Sequence, residues 1–429
     1  MRILNATWVE RAGNEIQGEI DIAGGRLSLH PGRRSSHSEG ETFDASTFTI
    51  YPGMVDPHVH FREPGIEHKE GIDNGTRCAL AGGVTTILEM PNTVPPCSTP
   101  EALAHKTALY KQKSLVHWGL HYQATTEPQV APAGPIASAK IYMAKSSVDG
   151  AVVDEDALVR IFTTFSRVAV HAEDETKFCH GIAPTPGQRA DRMHHIVRPK
   201  EAIVAALGKL ERALARVKTP PRLVLCHAGT SEEVAWVKQM KQSGFDVWAE
   251  TCPHYFLLTQ DDYVKIGNDL KVNPPLRAEE DREAVLEGLA MGIIDFVATD
   301  HAPHTPEEKA QANAPSGIAS IECVLPLLLE VVGDARLPRE RFIDACVARA
   351  SECYGIPHRD GIRDGNVADL VFLAKGPPKA RDVLTKARTH PYLATTFRQH
   401  VAATMVGGVF KFADGAFPHA SPLPCVYNS

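Results

Sequence analysis

The chain has 429 residues, 43% hydrophobic and 23% charged, values near those of ordinary globular proteins, which excludes a disordered or fibrous polymer. A formal charge of −7 provides no basic footprint for nucleic acid, so any anionic ligand must be captured by local charge. Nine cysteines, scattered singly without CxxC pairs, argue against a complete disulfide framework and for a reducing compartment. No uninterrupted apolar stretch approaches the roughly 20 residues needed to span a bilayer, and "MRILNATWVERAG" lacks the apolar segment of a secretory leader. A cytoplasmic protein without membrane contact is expected.

The first fifty residues read as short strands: "RILNATWV", "EIQGEIDIA", "GRLSLH" and "TFTIYPG", with Gly24-Gly25 as a hairpin signal between two of them. From about residue 53 to 335 short apolar runs alternate with segments of helical period, the signature of a parallel sheet built from βα units. Eight strands are counted: "GMVDPHVHF", "VTTILEM", "VHWGLHY", "SAKIYMA", "RVAVHAE", "RLVLCHA", "DVWAETC" and "IDFVATD". Thr99 before Pro100 reads as a helix start, Thr230 with Glu233 as a capping box, and "RPKEAIVAALGKLERALARV" and "EDREAVLEGLAMG" as helices. The last sixty residues return to strands in "ADLVFLA" and "HVAATMVGGVFKF", with a turn at Asp414-Gly415. The pattern predicts an α/β protein, a (β/α)8 TIM-type barrel over 53–362. The terminal segments, 1–52 and 363–429, are expected to pair as one small β-sandwich domain.

In such barrels the reacting groups sit at the carboxyl ends of the strands. Five of the eight ends carry a residue that binds metal or can be made to: His58 and His60, Lys140, His171, His227 and Asp300. His58 and His60 are two apart on a strand, so both face one side and can reach one ion; a hydrogen-bonded interior pair is the plain alternative. His171 and His227 follow apolar strands, which moves them towards the barrel mouth. His117, His121, His194, His195 and His254 are left as structural or supporting residues. Lys140 is either a lysine reaching out to solvent or one carboxylated on its amine by CO2, which turns a cation into an anionic bridging ligand. Asp300, ending "IDFVATD", is either a cap or a carboxylate that ligates a metal and shuttles a proton.

The segments "DPHVHFREPGIEHKEGI", "EMPNTVPP", "KIYMA", "VAVHAED", "LVLCHAGT", "KVNPPLR" and "ATDHAPHTPEEK" resemble dihydroorotases of the amidohydrolase superfamily. The likeness runs from about residue 50 to 335 and extends to "GIRDGNVADLVFL". It implies two zinc ions, one on His58, His60 and Asp300, the other on His171 and His227, bridged by carboxylated Lys140. It further implies that Arg62, Asn92 and His304 hold a substrate carboxylate and that Asn273 contacts the ring. Some relatives bridge the metals with an aspartate of an Asp-Gly turn, and "SVDGAVV" offers Asp149. Lys140 is favoured because "SAKIYMA" is an apolar strand that aims the lysine at the mouth, as in lysine-bridged relatives such as hydantoinases.

The implied reaction is the reversible closure of N-carbamoyl-L-aspartate to L-dihydroorotate in pyrimidine synthesis. A hydroxide shared by the metals attacks in the hydrolytic direction, and Asp300 takes and returns the proton. The rivals are a hydantoinase or allantoinase on the same metals and a non-catalytic dihydroorotase-like subunit. A homodimer would suit the family; whether the chain works alone or docks to an aspartate transcarbamoylase is left open.

Overall fold

The computed structural model of the protein describes residues 1–33, 40–145, 151–152, 154–179, 193–378 and 383–428. The first five strands are β1 (Arg2–Val9), β2 (Glu15–Ala23), β3 (Arg26–Pro31), β4 (Thr42–Asp44) and β5 (Thr49–Pro52). Gly24 and Gly25 have φ of +57° and +72° and close the β2–β3 hairpin between Ala23 and Arg26. Positive φ at both central positions is the turn whose twist matches the flanking strands.

One residue past β5 begins β6 (Met54–Val59). It is followed by β7 (Val84–Glu89), β8 (His117–Leu120), β9 (Tyr122–Gln123), β10 (Ala139–Tyr142), β11 (Arg167–His171), β12 (Arg222–Leu225), β13 (Val247–Thr251) and β14 (Phe296–Val297). The strands β6 to β8 pair in order, as do β9 to β14, all parallel. Only His121 separates β8 from β9, its ring tied to Ser138 Oγ at 2.8 Å and Pro57 O at 3.0 Å. The two count as one barrel strand. A parallel bridge between Val59 and His301, just past β14, closes the ring. The eight expected strands thus form a (β/α)8 barrel.

Alternation along each strand divides two cores. Val168 and Val170 of β11 and Leu223 and Leu225 of β12 face outward, in one cluster with Ile203, Leu207, Leu210 and Leu214 of the helix Lys200–Ala215. Those four leucine and isoleucine positions fall at helical spacing, which is why this segment is a helix and which face it buries. Ala169 and Val224 face inward with Val55, Leu88 and Phe296, and Tyr354 packs beneath them. Thr99 caps the helix Pro100–Lys113 through Ala102 N, with proline at the first turn as expected. Thr230 accepts from Glu233 N at 3.2 Å, while the Glu233 carboxylate reaches Gly229 N at 2.9 Å, one residue earlier than a standard box. The tail returns to the barrel: Trp118 Nε1 donates to Leu423 O at 2.9 Å, and Val426 joins the inner core.

The remaining strands are β15 (Leu370–Lys375), β16 (Gln399–Val406) and β17 (Val409–Ala413). Hydrogen bonds link them in the order β17-β16-β15-β5-β1-β2-β3, with β4 on β1, so the termini meet where β5 pairs antiparallel with β15. The sheet folds back on itself. Phe43 of β4 lies 5.3 Å from Phe372 of β15 and 4.9 Å from Phe410 of β17, ring centre to ring centre, although neither strand pairs with β4. This is the β-sandwich expected from the two ends.

Phe372 is fully buried at the centre of that aromatic group. Phe372→Ala is expected to destabilise the protein by about 3–5 kcal/mol, read by equilibrium denaturation. A loss below about 1 kcal/mol would mean that the ring does not hold the folded sheet together.

Candidate metal and substrate site

The carboxyl ends of the barrel strands surround a small cavity whose wall includes His58, His60, Arg62, Asn92, His171, His227, Asn273 and Asp300. Of the residues expected from sequence, Lys140 and His304 are not on this wall. Lys140 is fully buried, its Nζ 2.8 Å from Cys226 Sγ and 5.4 Å from the centre of the Tyr142 ring. Its charge is near enough to make His58, His171 and His227 less basic. His304 is behind Arg62, with its Nε2 3.3 Å from Arg62 Nη2. Asp149 lies outside the described residues.

The proton on each imidazole can be placed from what surrounds it. His58 Nδ1 meets the Glu250 carboxylate and His60 Nδ1 meets Asn92 Oδ1 at 2.6 Å, both acceptors. Both rings therefore carry their proton on Nδ1 and turn the Nε2 lone pair inward. There they face the same atom: Asp300 Oδ1 is 3.4 Å from His58 Nε2 and 3.1 Å from His60 Nε2. Burial, with Lys140 beside His58, keeps both imidazoles from protonating. Two lone pairs and a carboxylate oxygen thus converge on one point, a donor set that suits a cation.

A second pair lies beside it. His171 Nε2 is 2.9 Å from Glu173 Oε2, and the buried Arg198 guanidinium grips the same carboxylate. Burial would raise the Glu173 carboxyl, yet Arg198 holds it well below its usual range. The anion fixes the His171 proton on Nε2, so Nδ1 is free to face His227 Nε2 at 3.0 Å. His227 Nδ1 is buried without a hydrogen-bond partner. Among the described residues, His58, His60 and Asp300 form one group whose ligand atoms lie within 4.8 Å of each other, and His58, Cys226 and Glu250 form another.

Three of these residues depend on unusual backbone. Arg62, His227 and Asp300 have φ of +67°, +40° and +47°, in the left-handed region that side chains disfavour. For His227 the reason is parity. Val224 points inward, and two residues on Cys226 does too; His227 is of the outward parity and reaches the cavity because its backbone turns over. The strand β6 is anchored similarly, since the Asp56 carboxylate accepts from Thr299 N at 3.0 Å and Thr299 Oγ1 at 2.5 Å.

The amides are oriented as well. Asn92 Oδ1 is occupied by His60 and Asn273 Oδ1 by His194 Nε2 at 2.8 Å, so both present their NH2 groups as donors elsewhere. His194 thus supports Asn273. His121 is structural, and His117 faces Asp369 Oδ1 at 3.5 Å. His254 is buried against Tyr255 with neither ring nitrogen hydrogen-bonded, and burial lowers it to about 4. Sequence reasoning passed over Glu250, Glu173, Arg198 and Cys226. Strand parity could have found two of them: Glu250 is two residues from the inward Trp248, and Cys226 two from Val224.

An amidohydrolase family model matches residues 49–160 and 210–411. The dihydroorotase of Halobacterium salinarum is 37% identical over 356 residues, 80% of this chain and 81% of that protein. The dihydroorotase of Thermus aquaticus is 35% identical over 430 residues, 95% of this chain and 97% of its own length. Among solved structures, the L-hydantoinase (dihydropyrimidinase) of Arthrobacter aurescens superposes with a TM-score of 0.88 at 24% identity, covering 99% of this chain and 98% of that one. That likeness concerns the fold.

If a cation joins Asp300 to His58 and His60, Zn2+ added to chelator-treated protein should raise its melting temperature, by about 2.7 kcal/mol of stability at a hundredfold excess over Kd. Asp300→Asn should lose most of that gain. An equal gain in the variant would mean that the ion binds elsewhere.

Proposed function

Because the chain belongs to the amidohydrolase family and, within it, to the dihydroorotases, we propose that it interconverts N-carbamoyl-L-aspartate and L-dihydroorotate in pyrimidine synthesis. The observation that carries this reading is the convergence of His58, His60 and Asp300 beside a buried guanidinium, Arg62, on one cavity wall. One half of the cavity asks for cations, the other for an anion.

The donor set suits two zinc ions. His58 Nε2, His60 Nε2 and Asp300 Oδ1 would hold one, and His171 Nδ1 and His227 Nε2 the other, with Lys140 as bridge once CO2 has carboxylated its amine. An unmodified ammonium beside the imidazoles of His58, His171 and His227 would repel both ions; the carbamate removes that charge and supplies oxygens. Zinc, when bound, contributes Lewis-acid polarisation of the amide carbonyl and makes water acidic enough to attack near neutral pH.

The side chains do the rest. Arg62, the Asn92 amide and the His304 ring grip the ring carboxylate, and the Asn273 amide, turned by His194, meets the ring. This fixes the scissile amide over Asp300. In hydrolysis the Asp300 carboxylate accepts the proton of the attacking water on one oxygen and hands it to the ring nitrogen as the C–N bond breaks. Cyclisation runs the same transfers backwards.

A hydantoinase reading draws on the solved neighbours, including the one from Arthrobacter aurescens. Hydantoin and allantoin carry no carboxylate in this position, so the carboxylate contacts assigned to Arg62 and the Asn92 amide would not form. A non-catalytic relative would be expected to lack ligands, and all six candidates are filled.

Turnover of L-dihydroorotate well above that of hydantoin and allantoin is the expected outcome of a side-by-side assay; the reverse order would overturn the assignment. Asp300→Asn should lower kcat by about 10²–10⁴-fold, as loss of a general acid–base does. Arg62→Met should mainly raise KM, by roughly 10- to 100-fold for a lost charge-assisted contact. Bicarbonate present while the metal-free protein is reloaded with zinc should increase recovered activity, an effect absent from Lys140→Ala.

A further inference from the structure

The His304 ring sits between two competing sets of partners. Its Nδ1 is 3.0 Å from Lys69 Nζ, a donor only, and 3.5 Å from Glu308 Oε2, an acceptor only. Its Nε2 is 3.0 Å from Ser316 O, an acceptor only, and 3.3 Å from Arg62 Nη2, a donor only. With the proton on Nε2, both 3.0 Å contacts are hydrogen bonds; with the proton on Nδ1, only the two longer ones are. The shorter pair decides. Burial and the neighbouring cations Arg62 and Lys69 also keep the ring from taking a second proton.

We propose that Lys69 is a positioning residue for substrate binding: its ammonium donates to His304 Nδ1 and so selects the tautomer whose Nε2–H can be given to a substrate carboxylate. The proposal rests on the reading that His304 helps to hold that carboxylate. Without Lys69 the other tautomer gains. His304 Nε2 would then carry a lone pair and accept from Arg62, drawing the guanidinium away from its ligand.

Lys69 is itself held in place. Glu308 Oε1 lies 3.1 Å from its ammonium, and the same carboxylate accepts from Thr305 N at 3.0 Å, within a capping box next to His304. The opposite edge of the ring is fenced by backbone. Gly317 has φ of +152°, and a Cβ there would meet Ala302 O at 2.2 Å and His304 Cδ2 at 3.0 Å, so glycine lets the 316–317 backbone close onto the ring.

The test pairs ¹⁵N imidazole NMR of the ligand-free protein, with His304 assigned by comparison with His304→Gln, and steady-state kinetics on L-dihydroorotate. The wild type should show a neutral His304 protonated on Nε2. Lys69→Met should populate the Nδ1–H form and raise KM about 3- to 10-fold, the effect of one hydrogen bond, with kcat within about twofold. Lys69→Arg should restore both readouts. A wild-type His304 protonated on Nδ1, an unchanged tautomer in Lys69→Met, or a fall in kcat at constant KM would each overturn the proposal. If Lys69→Met does not fold, Glu308→Gln loosens the same ammonium and must shift the tautomer. The NMR arm needs no substrate, so it stands even if the protein fails to turn over dihydroorotate, a failure that would count against the proposed reaction alone.

Discussion

A neutral imidazole has one proton and two nitrogens, and the site rests on which nitrogen is left bare. The choice is made outside the cavity. Glu250 claims Nδ1 of His58, Asn92 claims Nδ1 of His60, and Glu173 claims Nε2 of His171. Each acceptor fixes a proton on the far side of the ring and aims a lone pair inward. The acceptors are held in turn. Arg198 keeps Glu173 ionised, whereas burial raises Glu250 to about 7 against the opposing pull of Lys140. Replacing one of these acceptors would leave every donor atom in place and still spoil the site, because the ring would be free to take the wrong tautomer.

The barrel supplies the rigidity that this arrangement needs. Side chains alternate along a strand, so a regular strand end can send only every second residue inward. The site breaks that limit at His227, of outward parity, where the chain leaves the strand in a left-handed conformation that Arg62 and Asp300 share. Such conformations cost of order 1–3 kcal/mol each and persist only where the surroundings over-determine them. Here Asp56 ties β6 to Thr299, and Val59 pairs with His301, so the segments carrying His60 and Asp300 are bonded to each other on both sides of the strained residue.

The fold was legible because its signals are periodic. Apolar runs such as "RVAV" and "RLVL" stand out against helices of period 3.6, and the paired glycines at 24–25 mark a hairpin by a backbone requirement that few other residues meet. The histidines and Asp300 were legible for a related reason: they end apolar strands, and barrel strands end at the mouth. What escaped notice were the groups that act on other groups. Glu173 and Arg198 are 25 residues apart and meet only through the fold, and Glu250 looks like an ordinary polar residue in "WAETC". Lys140 was placed on the right strand, but its contact with Cys226 depends on a neighbouring strand's register, which periodicity does not encode. That the two ends pair is legible in their strand patterns; the aromatic seam brings Phe43 of β4 against Phe372 and Phe410, on strands to which β4 is not hydrogen-bonded, and so leaves no trace in local pattern.

The polarity of the cavity explains how a chain of net charge −7 can receive an anion. Lone pairs and the Asp300 carboxylate face one region, while the Arg62 guanidinium and the NH2 groups turned inward at Asn92 and Asn273 face the other. Neither half is comfortable alone. Burial disfavours the charged form of Arg62, and Asp300 offsets only part of that penalty. On the proposed reading, a ligand that brings a carboxylate to Arg62 offsets part of the burial cost of its charge, which a neutral ring of similar size does not. Selection for an acid would then come less from the strength of one contact than from the burial cost that a neutral ligand leaves in place.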